Sequence, residues 1–311
     1  MTTTKKPKRS KLRWRSFIPF YLMMIPGIVY LIINNYVPMA GMVIAFKYVN
    51  FNKGIWNSPW AGLSNFEYLF KTKDAWVITR NTLGYNILFI VLGTVLAVAV
   101  AIILNEVKSK FWKKAYQTTI LLPYLISMVV VSYLAFAFLS SDFGFINNTL
   151  IKGAGGQSVN WYTEPRYWPF ILTIVYIWKT LGYNCIIYYA TLVGIDPSYY
   201  EAAVIDGASR WQQVVKITLP FLKPTIITLA LLAIGKIFYS DFGLFYQVPM
   251  DSGPLYDVTN TIDTYVYRGL IKLNDVGMSS AAGVYQSLVG FVLVMISNFV
   301  VSKTSKENAL F

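Results

Sequence analysis

The stretch Asp196-Pro197-Ser198-Tyr199-Tyr200-Glu201-Ala202-Ala203-Val204-Ile205-Asp206-Gly207-Ala208-Ser209-Arg210, running on to Ile217-Thr218-Leu219-Pro220, is a polar interlude between two strongly apolar runs. Its local chemistry predicts two short helices and a turn. Asp196-Pro197 reads as a helix start, with Asp capping and Pro in the first turn, where a missing N–H is tolerated. Gly207 ends that helix, because glycine readily takes the left-handed conformation that closes one. Ser209 and Gln212 have the spacing of a capping box, so a second helix follows through Trp211, Val214, Val215 and Thr218.

Outward from this interlude the chain is apolar. Of its 311 residues, 56% are hydrophobic and 13% charged, against roughly 25% charged in an ordinary soluble domain. Uninterrupted apolar segments close to the spanning length of roughly 20 residues fall at about 17–36, 82–105, 116–140, 167–190, 221–240 and 278–302. They are continuous rather than alternating, and backbone polar groups in lipid must be satisfied within the segment, so they are helices. The fold class is therefore an all-α membrane protein with six transmembrane helices. The fifth span carries two interruptions, Pro224 and Lys236. The chain divides into a basic tail (1–16), a first span with its outer loop (17–81), a five-helix core (82–303) that includes the loop 194–220, and a short C-terminal tail (304–311). After the first span, Ile32-Ile33-Asn34-Asn35-Tyr36 offers no small-x-small cleavage site, so that span is expected to be retained.

Lysine and arginine set the orientation, because they accumulate on the cytoplasmic side. Seven lie in the tail (Lys5, Lys6, Lys8, Arg9, Lys11, Arg13 and Arg15), and Lys108, Lys110, Lys113, Lys114, Arg210, Lys216, Lys223, Lys303 and Lys306 fall on the same side. The opposite side has fewer: Lys47, Lys53, Lys71, Lys73, Arg80, Lys152, Arg166, Arg268 and Lys272. Both termini and the 194–220 loop are thus expected in the cytoplasm of a multi-pass cell-membrane protein. The outer loops, about 37–81, 141–166 and 241–277, are long enough to be functional rather than idle connections.

Several chemistries are excluded. Cys185 is the single cysteine and there is no histidine, which removes intrachain disulfides, cysteine metal sites and the commonest general base. No metal or cofactor site is expected in this chain. The formal charge of +13 sits largely beside spans, so it reads as topology and not as a nucleic-acid surface. A phosphate loop is missing: Gly235-Lys236 is followed by Ile237, with Ala230 where the first glycine belongs. This is not an ATP-hydrolysing enzyme.

The run Glu201-Ala202-Ala203-x-x-Asp206-Gly207-Ala208, followed by Ile217-x-Leu219-Pro220, resembles the EAA loop of permease subunits of ABC importers. The resemblance implies a type I importer permease of MetI-like fold, with Glu201, Ala202, Ala203, Asp206, Gly207 and Ala208 forming a coupling helix that docks on an ATPase. Further motifs, Tyr36-Val37-Pro38-Met39, Ala45-Phe46-Lys47 and Gly54-Ile55-Trp56-x-Ser58-Pro59-Trp60-x-Gly62-Leu63-x-Asn65-Phe66, look like the first outer segment of carbohydrate-uptake permeases. The branch is that of complex polysaccharide and oligo-uronide import. By the same resemblance the working complex holds a second permease in a heterodimer, two ABC ATPases that bind ATP and Mg, and an extracellular or periplasmic solute-binding protein. The stretches 48–70, 141–166 and 245–270 would receive that protein. The expected function is translocation of a carbohydrate, an acidic oligosaccharide. The same machine with an amino acid, peptide or polyamine cargo, or a receptor without transport, stays open.

Charged and polar residues inside spans are costly and usually face a cavity or a partner. Lys179 lies mid-span with Tyr176 and Tyr183 on the same helix face, and Asn184 and Tyr188 continue that character. Lys236 and Tyr239 in the fifth span, and Tyr285 and Gln286 in the sixth, complete the expected substrate pathway. Either lysine could instead snorkel or be spent on a structural pair.

Overall fold

The computed structural model describes residues 14–304. The tail residues 1–13 and 305–311 lie outside the described residues. Helix α1, Trp14–Leu31, continues through a π turn at Ile32–Tyr36 and a 3-10 segment at Gly41–Phe46. Together Phe17–Phe46 is long and apolar enough to span a membrane, and its apolar window buries nothing within this chain. A short helix α2, Ser64–Lys71, then leads into α3, Asp74–Glu106. At 33 residues, α3 is about 50 Å long, well beyond the ~30 Å hydrocarbon core. The expected start at residue 82 is therefore late, because the polar first turns Asp74–Asn81 are helical too.

The third expected span departs from the sequence reading. Residues 110–139 form two helices, α4 (Lys110–Leu125) and α5 (Met128–Leu139), bent by 96° at the break. Pro123 removes a donor from the last turn of α4, and the Ser127 side chain accepts from Val130 N–H to start α5 afresh. Apolar composition concealed both. Among the described residues, five helices thus qualify as spans, or six when the bent pair is taken as one.

Helix α6 runs over Trp168–Val193, α7 over Ser198–Ile205, α8 over Leu219–Ile234, α9 over Ile262–Ile271 and α10 over Val276–Thr304. Lys236 is not inside the fifth span, because α8 ends at Ile234 and a turn at Gly235 to Phe238 follows. The expected outer stretch 241–277 is largely folded, with a π turn at Gly243–Gln247, a short helix at Tyr256–Thr259 and α9.

Small residues bring the spans together. Ala97 and Ala101 of α3 are fully buried against Cys185, Tyr188 and Leu192 of α6 and Leu222 of α8. At Gly182 a Cβ would lie 1.9 Å from the Ile120 carbonyl oxygen, so α4 and α6 meet backbone to backbone, as small residues permit between membrane helices. A second cluster, including Tyr85, Phe89, Val131, Trp168, Leu172 and Phe245, locks α3, α5 and α6 to the Gly243–Gln247 turn. The third, with Leu69, Ile78, Phe238, Ile262 and Ala282, ties α2, α3, α9 and α10.

Candidate functional site

The loop between α6 and α8 is built from local bonds. Asp196 Oδ1 accepts from Ser198 N–H at 2.9 Å, and that bond holds its carboxyl below the ordinary aspartate range. Pro197 occupies the N-cap of α7. At the other end, Ala208 N–H donates to Ala203 O at 2.8 Å and Gly207 N–H to Val204 O at 3.1 Å, the paired bonds of a Schellman ending. Gly207 has φ +76°, where a side chain is disfavoured. The expected capping box is present: Gln212 N–H donates to Ser209 Oγ at 3.3 Å, and Ser209 N–H to Gln212 Oε1 at 2.7 Å.

Long side chains then fasten this local unit to the body. Buried Gln213 donates from Nε2 to Ala208 O at 3.1 Å, and the Tyr200 and Thr218 hydroxyls are 3.0 Å apart. Tyr199 packs on Phe221, with ring centroids 5.2 Å apart. The expected apolar anchors therefore divide. Tyr199 and Tyr200 serve the chain's own body, whereas Val204 and Ile205 point away, Ile205 at 85% exposed. Glu201, Ala202, Asp206 and Gly207 are exposed beside them, and Ala203 and Ala208 are half-buried. The arrangement presents a rigid, low-profile helix face with charge at its edge, suited to a groove on another protein.

Inside the membrane, the helix breaks organise the polar residues. Lys179 on α6 points its ammonium at the end of α4, donating to the carbonyls of Pro123 at 3.4 Å and Tyr124 at 3.2 Å and to that of Ile126. A cation there satisfies carbonyls that the broken helix leaves orphaned and complements its negative end. One turn to either side, Tyr176 stacks on Phe89 at 3.8 Å and Tyr183 stacks on Tyr124 at 4.7 Å. Asn184 lies half-buried beyond them. The second break, after α8, is fastened similarly. Asn86 Nδ2 donates to Ile237 O and Tyr239 O, each at 2.9 Å, while Gln286 Nε2 donates to Phe238 O at 2.9 Å. The start of α5 meets the turn that follows the second break: a Cβ on Gly243 would lie 2.8 Å from Met128 Cγ. Leu125 and Ser127 at the first break are exposed in the single chain. Irregular backbone at membrane depth calls for protein cover or a water-filled cavity.

Of the expected pathway residues, Tyr176, Lys179, Tyr183 and Tyr239 gather at or beside these breaks. Three others are corrected. Tyr188 is 2% exposed in the α3–α6 core. Gln286 is buried and spent on Phe238 O and the Asp263 carboxylate. Tyr285 bonds Thr79 at 3.0 Å and packs edge-on against Phe70 and Phe238, so it ties α10 to α3. Lys236 is exposed in the turn after α8. Asn86 and Asn81 were passed over. The signal for them was available, since asparagines in an otherwise apolar 82–105 segment and its approach need partners.

A family model described as binding-protein-dependent transport system inner membrane component matches residues 93–306. The chain belongs to this family. Within it, the permease is 35% identical over 305 residues to the polygalacturonan/rhamnogalacturonan transport system permease protein YteP of Bacillus subtilis, covering 97% of this chain and 94% of that one. Among solved structures it matches a chain of a bacterial ABC transporter involved in import of the acidic polysaccharide alginate, with TM-score 0.85 and 32% identity over 94% of this chain and 99% of that one. A second structure, the bacterial alginate ABC transporter in complex with an alginate pentasaccharide-bound periplasmic protein, matches with TM-score 0.83 and 32% identity, covering 94% and 98%. The permease is therefore a multi-pass cell-membrane transport subunit, and the fold is the type I importer fold that the Glu201–Pro220 stretch implied.

Proposed function

We propose that this permease is the membrane subunit of an ATP-driven importer that translocates a carbohydrate, an acidic oligosaccharide, handed over by an extracellular solute-binding protein. The observation that carries the reading is the exposed Glu201–Ala208 helix face on a loop fastened at both ends. Push on such a unit is passed to α8 by the Tyr200–Thr218 and Tyr199–Phe221 contacts, and to α6 through Tyr200, which packs on the cluster that holds Leu192 and Leu222. Polyuronide relatives and the alginate importer support the cargo class. A second permease and two ATPases complete the machine, with ATP and Mg held by the ATPases and none by this chain. The termini and α7 lie in the cytoplasm by the lysine and arginine distribution. The cargo passes along the Tyr176–Lys179–Tyr183 face, with Asn184 and Tyr239 beside it and the second permease opposite.

The test uses the assembled importer. Deleting residues 198–208 should abolish both ATPase co-purification and ATP-dependent uptake of tri-galacturonate, with the protein still in the membrane. Recovery of the ATPase with the deleted form would refute the docking role. Uptake of a peptide or polyamine instead of any uronide by the wild type would refute the cargo.

A further inference from the structure

Between α5, the end of the Gly243–Gln247 turn and Lys272 after α9 lies a pocket of about 390 Å³, lined by Ser132, Tyr133, Tyr246, Gln247, Asp251 and Lys272 among others. That volume is in the lower part of the roughly 300–1,000 Å³ range of ligand sites. Its lining also includes Val129, in the first turn of α5, so the pocket adjoins the break that Lys179 caps.

Charge in the pocket is unbalanced. Asp251 Oδ1 takes Arg268 Nε at 2.6 Å and Oδ2 takes Lys272 Nζ. Burial raises the Asp251 carboxyl, but bonds from Lys272 and Arg268 outweigh it and leave it below the ordinary range, so it is ionised at neutral pH. One carboxylate thus faces two cations. The Arg268 side chain is only 9% exposed, stacked at 4.0 Å on Tyr256 and bonded to Asn260, so it serves the structure. Lys272, at 48% exposed, is the surplus charge. An ammonium has three donors, and among the described residues Lys272 Nζ donates to one carboxylate, that of Asp251.

The aromatic groups supply the other half of a sugar site. Tyr133 is 65% exposed. Tyr246 is held in place by a stack on Phe242 at 4.9 Å and an edge contact with Tyr267 at 5.0 Å. A pyranose ring covers such a face with its C–H surface, and its hydroxyls suit the Gln247 amide. A uronate adds a carboxylate, which the free donors of Lys272 match with charge-assisted bonds.

We infer that this pocket is an entry subsite that takes one uronate unit of the cargo, with Tyr133 as stacking surface and Lys272 as counter-charge. The inference rests on the carbohydrate reading above and adds a place where acidic and neutral sugars part. It is a station distinct from the Tyr176–Tyr183 face, since no residue is shared.

The experiment compares uptake of tri-galacturonate with that of its fully methyl-esterified, uncharged counterpart, in the whole importer with its binding protein and ATPases unchanged. Lys272→Gln should raise the half-saturating concentration for tri-galacturonate about tenfold, one charge-assisted bond, and shift the ester less than about twofold. Lys272→Arg should restore preference for the acid. Tyr133→Ala, at an exposed position that leaves folding intact, should weaken uptake of both probes alike. Equal shifts of both probes in Lys272→Gln, or no shift in either, would overturn the subsite; so would unchanged uptake by Tyr133→Ala. Wild-type protein that imports neither probe would overturn the carbohydrate reading, and the subsite with it.

Discussion

The loop at 196–220 and the paired helix breaks at 126–127 and 235–239 are both interruptions of helix, yet they are stabilised on different scales. In the loop, Asp196 bonds Ser198, Ala208 bonds Ala203, and Ser209 and Gln212 bond each other. Every one of these partners lies within five residues. At the breaks the partners come from other helices: Lys179 reaches back to Pro123, Tyr124 and Ile126, and Asn86 reaches forward to Ile237 and Tyr239. The loop is a module that carries its own geometry to wherever the chain needs it. The breaks exist only while the bundle is assembled.

The sharpest way to break this contrast is Lys179→Met. It leaves carbonyls at the end of α4 without their cation, and the expected loss is about 2–3 kcal/mol, seen as a lowered melting temperature of the detergent-solubilised protein, with Lys179→Arg recovering most of it. An unchanged melting temperature would mean that the break holds itself, as the loop does. Gly207→Val comes next. Its Cβ would meet nothing within 4 Å, so the cost is only the left-handed backbone, about 1–2 kcal/mol. Because it falls on the loop, ATPase co-purification should drop while the melting temperature of the membrane core stays. Ser209→Ala removes one half of the capping box, worth about 1 kcal/mol; hydrogen exchange should speed in residues 209–213 and not at the breaks. Smallest of all, Arg210→Ala breaks the 3.4 Å pair with Glu106. Both side chains are exposed, so less than about 0.5 kcal/mol should be lost, and added salt should erase even that difference in thermal melts.

How much was legible follows the same division. Helical type, the number of apolar segments and, in the loop, α7, Gly207 and the Ser209–Gln212 box could be read from spacing because their causes are local; the expected separate second helix instead runs on from Arg210–Gln213 through Val214–Thr218 into α8 without a break. In the bent third segment Pro123 and Ser127 mark a break locally, but the size of the turn, 96°, is not local, since Met128–Leu139 is as apolar as any straight span. Lys179 was singled out for its cost in a membrane, yet its partners are carbonyls more than fifty residues away. Tyr188, Tyr285 and Gln286 looked equally exposed to a pathway in sequence, because a single span has no inside until its neighbours are placed.

By itself the sequence determined that this chain is a helical membrane permease with a capped polar loop between two spans. Hydrophobic length, the lack of any internal phosphate site and short-range capping are properties of the chain alone. Tertiary structure alone decided which polar residues are spent on holding the bundle, Lys179, Asn86 and Gln286 among them. That decision rests on orphaned backbone groups at helix breaks, which in a membrane must find partners from whichever neighbouring helix the fold brings within reach.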